Sequence, residues 1–254
     1  MTRVIGIVSG KGGVGKTTFA ANLGIALSNF GKKTVVVDCN VTSPHLAYYL
    51  GAKNYSITLN NILRGDIDVK FAPLDKGGVM FIPCSEDIKD VMKIDVDDLK
   101  GHIGKLAESD SYDYIILDSA PGLGREAIAT LKACDEIIFV TTPTIPNIMD
   151  VTRCAEAANQ LGHKRFSIVL NMVRGKDFEL RIEDAQNIFG TPVLGMIPFD
   201  ETVMDSTAQG IPYLWYKNNS RTSEHFMDIA ANLLGIEYRK QSRFGGFLKK
   251  IFRK

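Results

Sequence analysis

The chain has 254 residues, 45% of them hydrophobic, with 30 Lys and Arg against 29 Asp and Glu, an ordinary globular composition that excludes wholesale disorder. No apolar run approaches the roughly 18 residues of a spanning helix, and Met1 leads straight into a β-branched segment without the zones of a signal peptide, so a cytoplasmic protein without a membrane span is expected. The near-neutral total hides an asymmetry: seven cations and no acid fall from Arg239 onward, leaving 23 cations against 29 acids in residues 1–238, so only the tail is drawn to a polyanion.

Taken in chain order, short β-branched runs alternate with helical patterns. Val4–Ser9 reads as a first strand, followed by a Gly-rich loop and a helix over about Thr18–Phe30. Further strands are expected at Thr34–Asp38, Val79–Pro83, Tyr114–Asp118, Glu136–Thr141, Phe166–Asn171 and Val193–Pro198. Such alternation predicts an α/β fold, a doubly wound and mostly parallel sheet with helices on both faces. The unbroken apolar stretches Tyr114–Leu117 and Ile137–Val140 fit strands buried on both sides. No repeat or linker divides residues 1–237, which read as one domain, with 238–243 as a polar tether. The four cysteines, Cys39, Cys84, Cys134 and Cys154, are scattered without a Cys-x-x-Cys pair, and read as small buried hydrophobes rather than a disulfide framework or zinc site.

The loop Gly10-Lys11-Gly12-Gly13-Val14-Gly15-Lys16-Thr17 satisfies G-x-x-x-x-G-K-[ST] and lies between a strand and a helix. Glycines let successive N–H groups turn inward, and the helix adds its positive end, which makes a cradle for a β-phosphate. Lys16 is expected to bridge the β- and γ-phosphates of ATP, and the Thr17 hydroxyl to ligate Mg²⁺. Acidic groups for the magnesium shell are expected at the carboxyl ends of neighbouring strands; Asp38 and Asp118 stand there. Each has the alternative of capping the helix that follows.

With Lys11 just inside the loop, the sequence resembles the deviant Walker A group of P-loop ATPases, the MinD and ParA proteins, over essentially the whole chain. Asp118-Ser119-Ala120-Pro121-Gly122-Leu123-Gly124-Arg125-Glu126-Ala127 matches that family's second switch. Asn171-Met172-Val173-Arg174 matches its adenine-reading strand end, and Gly195-Met196-Ile197-Pro198-Phe199-Asp200 its later base-contacting segment. The resemblance implies that Gly10 through Thr18 wrap the phosphates and that Asn171, Arg174 and Pro198 flank the base. It also implies that Lys11 crosses to a partner's phosphates in an ATP-dependent homodimer, acting like an arginine finger supplied in trans. An amide suits adenine because it both donates and accepts, although Asn171 can equally be a turn residue ending a strand.

One position departs from the family. Its first switch reads Asp-x-Asp, the second Asp orienting the attacking water, whereas this chain has Asp38-Cys39-Asn40. An amide keeps the shape but loses the charge, which implies slow hydrolysis unless Asn40 positions water adequately.

In the tail, Phe244, Phe247, Leu248, Ile251 and Phe252 fall at i, i+3, i+4, i+7 and i+8, with Lys249, Lys250, Arg253 and Lys254 on the remaining surface. This predicts an in-plane membrane helix over 244–254 and is similar to the membrane-targeting segment that favours MinD over ParA. Burying a large apolar side chain gives roughly 1.5–3 kcal/mol, and each cation near an anionic leaflet about 1 kcal/mol. Ordering the segment costs about 1–2 kcal/mol per residue, so one tail binds weakly, whereas two joined in a dimer gain about 10²–10⁴ in apparent affinity. The expectation is a MinD-like ATPase, peripheral on the inner face of the cell membrane, that organises an unidentified regulatory or cargo protein in space. The alternatives are a ParA-like DNA-segregation ATPase and a slowly hydrolysing membrane scaffold. Nucleic acid is not the expected partner, and an iron–sulfur carrier would need grouped cysteines.

Overall fold

The computed structural model describes residues 1–91 and 94–238. The expected membrane residues Phe244, Phe247, Leu248, Lys249, Lys250, Ile251 and Phe252 lie outside the described residues, as does the tether beyond Tyr238. Tyr238 itself sets its ring edge-on against Phe30, with centroids 5.8 Å apart.

Eight strands form one sheet: β1 (Arg3–Val8), β2 (Thr34–Asp38), β3 (Leu74–Lys76), β4 (Val79–Ile82), β5 (Tyr114–Asp118), β6 (Glu136–Thr141), β7 (Phe166–Val173) and β8 (Val193–Pro198). Their spatial order is β3-β4-β2-β5-β1-β6-β7-β8. All neighbours run parallel except β3, which pairs antiparallel with β4 as an edge strand that the sequence pattern did not suggest. The first helix starts at Lys16 and ends at Asn29, two residues earlier than expected at its start, because Lys16 and Thr17 belong both to the loop motif and to the first helical turn.

Alternation within each strand divides the core into two layers. Val35, Val37, Ile115 and Leu117 enter one cluster, while Val36, Ile116, Ile5 and Ile7 enter the other. Helices Leu99–Glu108, Arg125–Ala133 and Ile145–Gln160 cover the first face through Ile103, Leu131 and Val151. Helices Lys16–Asn29 and Arg221–Leu234 cover the second, where Phe19 and Phe226 stack. Covering both faces leaves the carboxyl ends of β1, β2, β5, β7 and β8 as the place where polar side chains gather.

The helix Lys16–Asn29 approaches β2 closely at Gly24, where a Cβ would lie 2.5 Å from Cγ2 of Val36. Val36 is β-branched and fully buried, so it has little room to move. Gly24→Ala gains about 1 kcal/mol of helix propensity but overpacks the layer, at a cost of about 1–3 kcal/mol. Chemical denaturation is expected to show a net loss; a variant more stable than wild type would mean that helix and sheet separate freely here.

Candidate functional site

The loop after β1 turns in on itself through Gly13 and Gly15, with φ of 81° and 84°, backbone angles that side chains rarely tolerate. The helix that follows opens at Gly15 without a side-chain cap. Its first-turn N–H groups therefore point out of the helix end with no capping oxygen, as an anion cradle requires. Val14 anchors the loop by packing into the second core layer. Gly10 lies against Asp150, whose Cβ would be 2.4 Å from a side-chain carbon at that position. Gly12 is exposed, and Thr17 and Thr18 are half-buried at the helix start.

Behind the loop stands a cluster of charge. Lys16 Nζ donates to Asp118 Oδ1 at 2.7 Å, and both side chains are buried. Asp38 sits directly across the sheet register from Asp118, 1% exposed. Its Oδ1 accepts from the N–H of Asn40, and its Oδ2 from those of His45 and Leu46. In this structure Asp38 thus takes the capping role, binding the backbone at the start of the helix Leu46–Tyr49, whereas Asp118 is an ion-pair partner. Burial and the neighbouring Asp118 carboxylate push the Asp38 carboxyl up to about 7, against the pull of those backbone donors and of Lys16. Asn40 is half-buried, with its side-chain amide donating to Ser43 O at 2.6 Å.

Lys11 lies at the outer lip of the loop. Its side chain is 47% exposed, and Nζ is 3.8 Å from Asp150 Oδ2, a loose contact in solvent.

The residues expected around a base come together at the ends of β7 and β8. Asn171 is buried against the loop, with Nδ2 donating to Val14 O at 2.7 Å. Val173 pairs with Pro198 in register. Arg174 lays its guanidinium over the Phe199 ring, 3.6 Å from the centroid. Glu179 fastens this corner by accepting from the N–H groups of Arg174, Gly175 and Lys176. Met172 bridges Asn171 and Val173 with φ of 57°, at an irregularity in the β7 and β8 pairing. A strained non-glycine residue of this kind is kept where the surroundings hold it in place. Sequence reasoning missed Asp150 and Glu179, for which no local pattern signals a role, and it named Met172 only within the Asn171 to Arg174 match, without its left-handed backbone.

A phosphate loop on a parallel sheet, with a buried lysine behind it and carboxylates on the adjoining strand ends, defines a P-loop nucleoside triphosphatase. A family model described as ParA, NUBPL iron-transfer P-loop NTPase, matches residues 1–234. The chain belongs to the MinD/ParA family of P-loop ATPases. It is 31% identical to an uncharacterised ATP-binding protein of Methanocaldococcus jannaschii, over 99% of this chain and 97% of that one. It is similar to the septum site-determining protein MinD of Pyrococcus horikoshii, solved in complex with Mg-ADP, with 32% identity, a TM-score of 0.87, and coverage of 97% of this chain and 98% of that one. It is also similar to a chain of the MinC:MinD cell division complex of Aquifex aeolicus, with 25% identity, a TM-score of 0.84, and coverage of 95% and 99%.

The four cysteines are buried and unpaired with one another, and Cys84 donates its thiol to Asp38 O at 3.0 Å. Among the described residues no group of three or more His, Cys, Asp or Glu side chains converges to hold a metal ion, and no helix is long and apolar enough to cross a membrane.

The raised Asp38 carboxyl has a definite sign. In the unfolded chain it ionises near its ordinary value of 3.8, whereas in the fold it holds its proton to about 7. Stability from this group is therefore present at low pH and is lost as pH rises through that interval, on the order of 1 kcal/mol per pH unit. Asp38→Asn does not titrate. Its melting temperature is expected to gain on wild type between pH 5 and 7 and to level off above. A difference that stays constant across this range would mean that Asp38 is ionised throughout.

Proposed function

We propose that this chain is a MinD-like ATPase that closes into a homodimer on Mg-ATP and attaches reversibly, through residues 244–254, to an anionic membrane surface where it positions a protein partner. The observation that carries the reading is Lys11: a lysine at the lip of its own loop, exposed and only loosely paired, is set to engage a group outside its own molecule.

The residues present fit a magnesium nucleotide. The inward-turned loop from Gly10 to Thr18 and the uncapped helix start offer backbone donors to phosphate oxygens. Lys16 Nζ already lies behind that cradle and has protons to share beyond the one it gives Asp118. Thr17, Asp38 and Asp118 are the oxygen donors for Mg²⁺, which suits a hard cation. Mg²⁺, when bound, neutralises charge that develops on the transferring phosphoryl group. Asn171, Arg174 and Pro198 frame the base, Arg174 being stiffened by its stack on Phe199.

Asn40 orients the attacking water as an amide, without the charge of the carboxylate found in relatives, and turnover is accordingly slow. The complex of the Aquifex aeolicus relative with MinC supports a protein partner for the dimer. The stripe of Phe244, Phe247, Leu248, Ile251 and Phe252, ringed by cations, supports the membrane rather than DNA as the surface it meets.

Co-sedimentation with anionic liposomes tests the reading as a whole. The full chain is expected to pellet with Mg-ATP and to stay in solution with Mg-ADP. Lys11→Ala is expected to bind nucleotide but neither to dimerise nor to pellet, and truncation after Gln241 to abolish pelleting with dimerisation intact. Equal pelleting of the truncated and full chains would remove the tail as anchor. Asn40→Asp is expected to raise phosphate release about tenfold by returning a charged water-orienting group; unchanged turnover with intact ATP binding would mean that another group orients the water.

A further inference from the structure

The loop after β2 and the loop after β5 are joined by a side-chain pair that the proposed roles leave unused. Thr42 donates through Oγ1 to Oε1 of Glu126, which stands in the first turn of the helix Arg125–Ala133. At its start the loop is tied to β5, where the Cys39 N–H donates to Asp118 O at 2.9 Å; beyond Cys39 its other bonds fold it on itself: Asn40 Nδ2 on Ser43 O, the His45 ring nitrogen Nδ1 on the same carbonyl, and the Asp38 carboxyl oxygens on three backbone N–H groups. The neighbouring Arg125 turns the other way and binds Asp95 and Asp97. Glu126 thus supplies a bond from the loop that carries Asn40 to the helix that follows Asp118.

The second carboxylate oxygen of Glu126, Oε2, is buried and has no protein partner. A buried acceptor without a protein partner works against stability and offsets what the Thr42 bond and the first-turn position of the charge contribute, so the fold is expected to lose little when this residue is replaced by a small apolar one. Groups that oppose stability in this way concentrate where function depends on them.

We propose that Glu126 is a positioning residue for ATP hydrolysis: through Thr42 it sets the first-switch loop, and with it Asn40, against the second switch. This rests on the ATPase reading above. It also assigns a compensation to this chain, since an uncharged Asn40 acts through placement alone and placement is what the Glu126 clasp supplies.

The test combines four variants with three readouts. Glu126→Ala is expected to lower kcat for Mg-ATP about tenfold with KM changed less than twofold. The melting temperature of the nucleotide-free chain is expected to hold or rise. Thr42→Val is expected to match that loss of kcat, the double variant to be no slower than either single one, and Thr42→Ser, which keeps the hydroxyl, to restore wild-type turnover. Hydrogen exchange of the nucleotide-free protein, a measurement independent of turnover, is expected to speed up about tenfold over Asn40–Leu46 in Glu126→Ala. The proposal is overturned by wild-type kcat in Glu126→Ala, by losses that multiply in the double variant, by a melting temperature that falls along with kcat, or by unchanged exchange in the loop. A wild-type chain that binds Mg-ATP but releases no phosphate would refute the ATPase reading instead, and the exchange measurement would still decide whether Glu126 holds the loop.

Discussion

The ion pair between Lys16 and Asp118 is the contact on which the site depends. Removing both charges from water costs several kcal/mol per ion, and a 2.7 Å bond in a shielded setting repays that only if neither partner moves. Lys16 opens the helix after the phosphate loop, and Asp118 closes β5. The pair therefore fixes the loop to the centre of the sheet and sets the distance between the cradle and the second switch. Asp38 is the third member. One ammonium faces two buried carboxyl groups, so burial and the Asp118 charge push the Asp38 carboxyl up while the backbone N–H groups on its oxygens pull it back. The cluster carries more acidic groups than cations and is suited to accept further positive charge.

That arrangement follows from how the sheet is covered. Strands such as Tyr114–Asp118 and Thr34–Asp38 are buried along their whole length, which leaves their terminal Asp residues as the first positions where a charge is supportable. Register then brings Asp38 and Asp118 side by side, and the extra turn of chain between β1 and its helix places Lys16 opposite them. The close packing of Gly24 on Val36 holds the helix at the depth this requires.

Much of this was legible in the sequence because it rests on local chemistry. The loop glycines, the Lys16 and Thr17 pair, and an Asp at the end of an apolar run each carry their meaning within a few residues. What escaped lies in contacts far apart in the chain or in backbone detail. The edge strand Leu74–Lys76 is three residues long with a charged centre, and only the Gly77-Gly78 hairpin connection announces it. The left-handed Met172 has no signature, since methionine is not a residue that favours that conformation. Asp150 sits on a helix that pattern alone reads as an ordinary amphipathic element, and Glu126, although inside the second-switch match, carries no local sign of its partner. Their meetings with Lys11 and Thr42 arise from the crossing of segments that are 84 residues apart in the second case. Asp38 could be read two ways from sequence, as a cap or as a metal ligand, and the structure shows its oxygens on the N–H groups of Asn40, His45 and Leu46, contacts that the sequence pattern does not announce.

The packing of Tyr238 on Phe30 joins the last described residue of the chain to the end of the first helix. Phe30 closes the helix that begins at the phosphate loop, and 14 residues of helix span about 21 Å. Tyr238 thus sits at the amino-end rim of the sheet, on the far side from the phosphate loop. The phosphate loop and Tyr238 are separated by the full depth of the sheet, yet the helix Lys16–Asn29 runs from one to the other. Like a rod held at both ends, it carries any shift of the loop along its axis to the aromatic contact at the opposite rim.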